Sequence, residues 1–239
     1  MTSSTPVVLR LGGACLAAFF IWSSAAAQTT VAFTGGDAGD GLALTPGNVV
    51  QAYNINGGSV TWQGVAFTGL TLGVQDPTFD QTSADPFAGQ ASSDDNALRS
   101  ILQTLAWDDG GGSPINYTFA GLTAGATYQL TVLYFSGEFA EREQAFLANN
   151  TLITLATVSQ TTASYTSFEA TANGSGEISF RAVQSGDYGG TGNQDGAIIN
   201  AIVLSNVSAV PEPATWAAIA GAAALAVVLV RRRWHQRAA

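Results

Sequence analysis

Between residues 28 and 209 the chain is written mostly in alternation. From Thr127 to Phe135, Tyr128, Leu130, Val132 and Tyr134 fall on one side and Gln129, Thr131, Leu133 and Phe135 on the other. A period of two is the signature of a strand, and apolar residues on both sides predict one buried on at least one face. Ile115, Tyr117 and Phe119 form a preceding alternating set, with Gly121 to Gly125 as the turn between them. Gln144 to Leu147 and Thr151 to Val158 flank Asn149-Asn150, a predicted hairpin tip because Asn tolerates positive φ. Phe168 to Thr171 and Glu177 to Val183 flank Asn173-Gly174-Ser175-Gly176 in the same way, and Val49 to Ile55 and Val60 to Phe67 flank Asn56-Gly57-Gly58-Ser59. Ala197 to Leu204 reads as the closing strand, and Trp62, inside a strand, as core. One segment departs from this period. Leu98, Ile101, Leu102 and Leu105 stand at i, i+3, i+4 and i+7, which predicts an amphipathic helix from Asp94 to Ala106, with Ser93, Asp94 and Asp95 favouring its start. Many short strands around one helix predict an antiparallel β-sandwich, a jelly roll, in a single domain over residues 28–209.

Two stretches are continuously apolar instead. Arg10 precedes the run from Leu11 to Trp22, and Ser23-Ser24-Ala25-Ala26-Ala27 follows it; this is the pattern of a signal peptide over residues 1–27, cut after Ala27. Ala214 to Val230 is a second run of 17 residues, close to the lower limit of about 17–25 for a membrane-spanning helix. Arg231-Arg232-Arg233 behind it are expected to stay in the cytoplasm, which leaves everything before Pro211 outside. Hydropathy alone does not separate a sorted tail from an ordinary single-pass anchor with a Pro-rich hinge.

Order adds what hydropathy lacks. Pro211-Glu212-Pro213, the short apolar helix and the arginine cluster, over residues 210–239, resemble the PEP-CTERM sorting signal of Gram-negative bacteria. The resemblance implies recognition of Pro211, Glu212 and Pro213 by an exosortase-type membrane protease, which removes the tail. It also implies a cell that makes exopolysaccharide, and a protein held in the inner membrane before processing and found afterwards at the cell surface, in the outer envelope or in the extracellular matrix. Inside the domain, Thr34-Gly35-Gly36-Asp37 with Gly41-Leu42, the helix ending near Trp107, and Phe119-Ala120-Gly121-Leu122-Thr123-Ala124-Gly125-Ala126-Thr127-Tyr128 resemble jelly rolls of the galactose-binding and malectin-like kind, as does the final Ala197-Ile198-Ile199-Asn200-Ala201-Ile202. That implies a fold more than a ligand.

Charge narrows the partners. In residues 28–209 three arginines (Arg99, Arg142, Arg181) stand against sixteen acids, a net charge of −13, and the whole chain has no Lys. Such a surface repels nucleic acid and anionic headgroups, and acidic polysaccharide unless a divalent cation bridges it, so neutral polysaccharide, or no ligand, fits better. The single Cys, Cys15, falls in the signal and the single His, His235, behind the apolar tail, so the exported part lacks the residues for a disulfide, a His/Cys zinc site or a Ser-His pair. The expectation is a non-catalytic, glycan-associated or structural module. The alternative is a secreted glycan-active enzyme, since a carboxylate pair suffices for glycoside hydrolysis.

Few residues stand out as binders. Flat aromatic faces suit sugar rings, and Trp107 and Tyr188 are the candidates for glycan contact. Gly186 to Gly196 is a Gly-rich loop in which Asp187, Asn193 and Asp195 offer oxygen ligands for Ca²⁺, without the spacing of an EF-hand. Asp37-Ala38-Gly39-Asp40 and Asp108-Asp109 are weaker candidates that shape turns. Arg142 and Arg181 are expected to pair with Glu138, Glu141 or Glu143 on exposed strand faces.

Overall fold

The alternating segments become thirteen strands in a computed structural model of the chain, described here for residues 29–33, 41–73, 93–107, 114–139, 142–191 and 196–207. Strands β1 (Thr29–Ala32), β2 (Val49–Ile55), β3 (Val60–Trp62) and β4 (Val65–Leu70) precede helix α1 (Ser93–Leu102). After it come β5 (Ala106–Trp107), β6 (Ile115–Phe119), β7 (Thr127–Tyr134), β8 (Arg142–Ala148), β9 (Thr151–Val158), β10 (Ser164–Thr171), β11 (Ile178–Gln184), β12 (Ile198–Ile199) and β13 (Ala201–Asn206). A seven-stranded sheet in the order β1-β10-β7-β13-β2-β4-β3 packs on a four-stranded sheet, β6-β11-β8-β9, with β12-β5 as a small ribbon. All pairings are antiparallel except β2 with β4. This is the β-sandwich jelly roll that the alternation predicts.

Period two sorts β7 between two cores. Leu130, Val132 and Tyr134 meet Phe146, Phe168, Phe180 and Ile202 between the sheets. Leu133 and Phe135 point the other way, into a second cluster with Trp62, Phe67, Ala201, Val203 and the helix residues Leu98, Ile101 and Leu102. The helix therefore roofs the outer face of the seven-stranded sheet. Each large side chain buried this way contributes about 1.5–3 kcal/mol, which is how a chain without disulfides holds its shape.

Four boundaries differ from the sequence reading, each for a local reason. The stretch from Val60 to Phe67 is two strands, because Gln63 and Gly64 adopt positive φ (49° and 74°) and turn the chain between β3 and β4. Gln63 is held there by its own amide, which donates to the Leu42 carbonyl and accepts from the Leu44 N–H. The closing strand breaks at Asn200, whose side chain is engaged elsewhere. The helix stops at Leu102 rather than Ala106, because Asn200 takes the Leu102 and Thr104 carbonyls. The turn at Asn173–Gly176 is also no hairpin. β10 pairs with β1 and β7 and β11 with β6 and β8, so this turn carries the chain from one sheet to the other. Asn149-Asn150, by contrast, is the hairpin tip expected, with φ of 49° and 61° between the paired strands β8 and β9.

The crossing turn gives a first prediction. Gly176 sits at φ 73°, and a Cβ there would run into the Leu122 carbonyl oxygen. Gly176→Ala is expected to lose about 1–3 kcal/mol of stability from left-handed strain and this clash. Denaturant melts of wild type and variant check it; an unchanged midpoint rejects the argument.

Among the described residues no helix is long and apolar enough to cross a membrane. Residues 1–27 and 210–239, with Pro211, Glu212, Pro213 and Arg231-Arg232-Arg233, lie outside the described residues.

Candidate functional site

The two ends of the sandwich are unlike. At one, the strands join by the compact turns Gly121–Gly125, Asn149–Asn150 and Asn173–Gly176. At the other lie the longer connections β5–β6, β7–β8 and β11–β12, together with the end of α1. Loops that need not serve as tight turns are where binding groups can be carried on a rigid frame. Trp107 is at this long-loop end.

Its surroundings are built by three distant pieces of chain. β5 pairs with β12 so that Trp107 lies opposite Ile198. The indole stacks on Phe139, with centroids 6.1 Å apart and planes at 22°. The Arg142 guanidinium lies 3.9 Å from the Phe139 ring centre and 5.7 Å from that of Trp107. A cation over aromatic faces is stabilised by about 0.5–2 kcal/mol, more where water is excluded, and Arg142 is buried. The expected placement on an exposed strand face is thus corrected for Arg142, whose side chain is buried beside the two rings. Arg181, by contrast, donates through Nε to Asn116 across the β11–β6 pair at 3.1 Å.

Gln144 stands two residues after Arg142 on the same face of β8. It is fully buried, and its Oε1 accepts the Ile198 N–H at 2.7 Å. That bond fixes the amide, so Nε2 points elsewhere, and it has no hydrogen-bond partner. The Trp107 Nε1–H has none either. A buried donor left unpaired costs about 1–3 kcal/mol. Both donors are buried, and the elements that carry them, β5 and β8, meet through Ile198, which pairs with Trp107 and donates to Gln144. Phe139 and Gln144 carry no signal in the sequence that marks them as binders, because their roles come from the pairing of β5, β8 and β12.

Tyr188 belongs to another surface. It sits in a short 3-10 turn, Gly186–Tyr188, and packs half-buried against Ala145, Leu147 and Val183 on the outer face of the four-stranded sheet. Trp107 instead packs at the rim of the inter-sheet core, so the two aromatics are in separate clusters. Asp187 is exposed, while Asn193 and Asp195 lie outside the described residues. Among the described residues there is no group of three His, Cys, Asp or Glu side chains.

A carboxylate fastens this loop. Glu143 accepts from the Thr191 N–H, the Thr191 hydroxyl at 3.0 Å and the Ser185 hydroxyl at 3.0 Å. The backbone bond from Thr191, then the Ser185 and Thr191 hydroxyls, hold the Glu143 carboxyl below its usual range. A depressed carboxyl stabilises the fastened loop above the ordinary carboxylate pKa and loses that contribution as pH falls through its own, lower value. Protection of the Thr191 amide, corrected for intrinsic exchange, is therefore expected to fall in acid in wild type. In Glu143→Gln it is expected to be weak already at neutral pH. Equal protection in both proteins at pH 7 rules the fastening out.

No protein-family model and no curated protein sequence matches the chain. Solved structures match in shape. The plant receptor-like kinase ANX2 superposes with a TM-score of 0.52 at 14% identity, over 68% of this chain and 49% of that one. The complex of plant peptide RALF23 with FER and LLG2 gives 0.49 at 10% identity, over 73% and 55%. The ANXUR1 extracellular domain from Arabidopsis thaliana gives 0.48 at 13%, over 65% and 47%. The chain thus spans about half the length of the proteins it matches. At these identities the likeness is one of fold, the sandwich of the malectin-like and galactose-binding kind.

Proposed function

We propose that this chain is an exported bacterial protein whose β-sandwich is a non-catalytic, glycan-associated module, delivered by its PEP-type tail. One observation carries the binding half of that reading. At the long-loop end a half-buried indole, stacked on Phe139 and backed by Arg142, sits at the rim of the inter-sheet core. A sugar offers a C–H face that packs on the exposed part of such an aromatic ring. The surface charge favours neutral polysaccharide over acidic, unless a divalent cation bridges the latter.

Glu143, the described carboxylate nearest to Arg142 along the chain, is unsuited to be the general acid of the alternative, glycan-active reading. A glycosidase acid needs its pKa raised, and Glu143 is held the other way by the loop it fastens. The delivery half rests on residues 1–27 and 210–239: a signal peptide, then Pro211-Glu212-Pro213, an apolar run and Arg231-Arg232-Arg233, with an exosortase-type protease as partner.

Trp107→Ala is expected to weaken retention on neutral exopolysaccharide, measured by affinity electrophoresis, at least tenfold. Trp107→Phe keeps an aromatic ring of smaller area, so an intermediate loss is expected. Wild-type retention by both variants rejects the site.

A further inference from the structure

We propose that the outer face of the seven-stranded sheet holds a second site, a preformed uncharged cavity for a single neutral sugar ring; only the choice of sugar rests on the glycan reading above. Helix α1 covers this face only in part. Leu133, Phe135, Ala201 and Val203 lie under it, towards the long loops. Farther along the same two central strands, Gln129 and Thr131 of β7 and Ser205 of β13 continue the face, and Ser205 is the cross-strand partner of Gln129. The 42–48 segment stands beside them and leaves a cavity of about 310 Å³.

Its lining is chemically selective. Three hydroxyls (Thr45, Thr131, Ser205) and three amides (Asn48, Gln129, Asn206) share it with a mainly apolar wall at 42–44. Among the described residues lining it none is charged, in a domain of net charge −13. Nothing there neutralises a phosphate or carboxylate, and Glu169, opposite Gln129 on β10, lies one strand away to repel them. A ligand matched to hydroxyls and amides both donates and accepts without charge, as sugar hydroxyls do. The volume is at the small end of the roughly 300–1,000 Å³ of small-molecule sites, room for one ring rather than a chain.

The cavity is also held open by bonds that no ligand supplies. Gln63 clamps the wall at Leu42 and Leu44, with bonds of 2.9 and 2.7 Å. The Tyr165 hydroxyl donates to the Gly41 carbonyl at the start of the same wall. On the floor, Thr131 is only 4% exposed, and its hydroxyl lies 2.8 Å from that of Ser167. One shared bond leaves Thr131 further lone-pair capacity toward the cavity. A wall and floor fixed in advance reduce the ordering cost of binding.

The test uses the full chain in a detergent without a sugar headgroup and titrates it calorimetrically with free glucose, galactose, mannose and glucuronate. At least one neutral hexose is expected to bind, and glucuronate to bind at least tenfold more weakly. Gln129→Ala, at an exposed position, and Thr131→Val, which keeps the shape, are each expected to lose tenfold or more, whether or not the Trp107 site also takes up sugar. Loss on Trp107→Ala alone overturns this cavity and leaves the first site standing. Binding of glucuronate as tight as the hexoses overturns the ligand class, and no binding of any of the four overturns the cavity as a sugar site. A variant whose melting temperature falls is replaced in the comparison by the other.

Discussion

Replacing Asn200 by alanine is expected to cost the domain about 3–5 kcal/mol, among the largest losses any single substitution can cause here. The side chain is completely buried between the sheet and the end of α1. Its Oδ1 accepts the Phe135 N–H at 2.6 Å, and its Nδ2 donates to the Leu102 and Thr104 carbonyls at 3.0 and 2.8 Å. Its backbone also joins two strands, donating to the Leu133 carbonyl and accepting the Ile55 N–H. Alanine keeps the backbone bonds and removes all three side-chain bonds. A buried N–H and two carbonyls at the helix end are then left unpaired, at about 1–3 kcal/mol each before relaxation and water entry reduce the sum. Asn200→Asp separates the contributions: its oxygens still accept from Phe135 but cannot donate to either carbonyl. It is expected to be at least as harmful, because it buries a charge against two carbonyl oxygens. Equilibrium denaturation measures both. A loss below 1 kcal/mol for Asn200→Ala means that the helix end is not held by this residue.

Asn200 also marks where the sequence stops being legible. Its neighbours read correctly as the closing strand, because Ile198, Ile202 and Leu204 alternate with Ile199, Ala201 and Val203. Nothing local says that the middle residue leaves the strand to bond with residues near position 100 and at 135, since that depends on which elements become neighbours. The turns behave alike. Asn and Gly marked the reversals at Asn149-Asn150 and Asn173–Gly176, where positive φ at Asn149, Asn150 and Gly176 is the physical reason, but the turn at Gln63-Gly64 was read as strand. Yet a turn residue fixes only that the chain reverses, so Asn149-Asn150 closes a hairpin while Asn173–Gly176 crosses between sheets. Trp107 was legible as a candidate because a large aromatic follows an amphipathic helix next to acids. Phe139, Gln144 and the buried placement of Arg142 were not, since cation, rings and amide come together only when β5, β8 and β12 meet. Glu143 looked like any surface acid. Its hydroxyl and amide donors arrive from residues 185 and 191, more than forty positions away.

Changing Glu212 to alanine is expected to trap the protein, uncut, in the inner membrane. Insertion depends on the apolar run from Ala214 to Val230 and orientation on Arg231-Arg232-Arg233, and the substitution touches neither. The topology of Glu212→Ala should therefore equal that of wild type. What changes is the stretch between the domain and the membrane. In sequence, one carboxylate stands between two prolines, residues that lack an N–H and restrict φ, which is a pattern a protease can read. A protease that reads such a segment has only the Glu212 side chain as a charged contact, and losing it should abolish release rather than merely slow it. Removing the three arginines is expected to fail differently, with orientation or retention disturbed as well. An ordinary anchor with a stiff hinge makes the opposite forecast, because a spanning helix is indifferent to the residue at 212. Fractionation of the native host, blotted for the β-sandwich and with the C-terminal mass of the released form measured, decides between the two. If equal amounts are released from wild type and Glu212→Ala, Pro211-Glu212-Pro213 is a hinge and the sorting reading fails. If the variant stays in the membrane with its tail intact while wild type is shortened, the tail is a sorting signal that Glu212 makes readable.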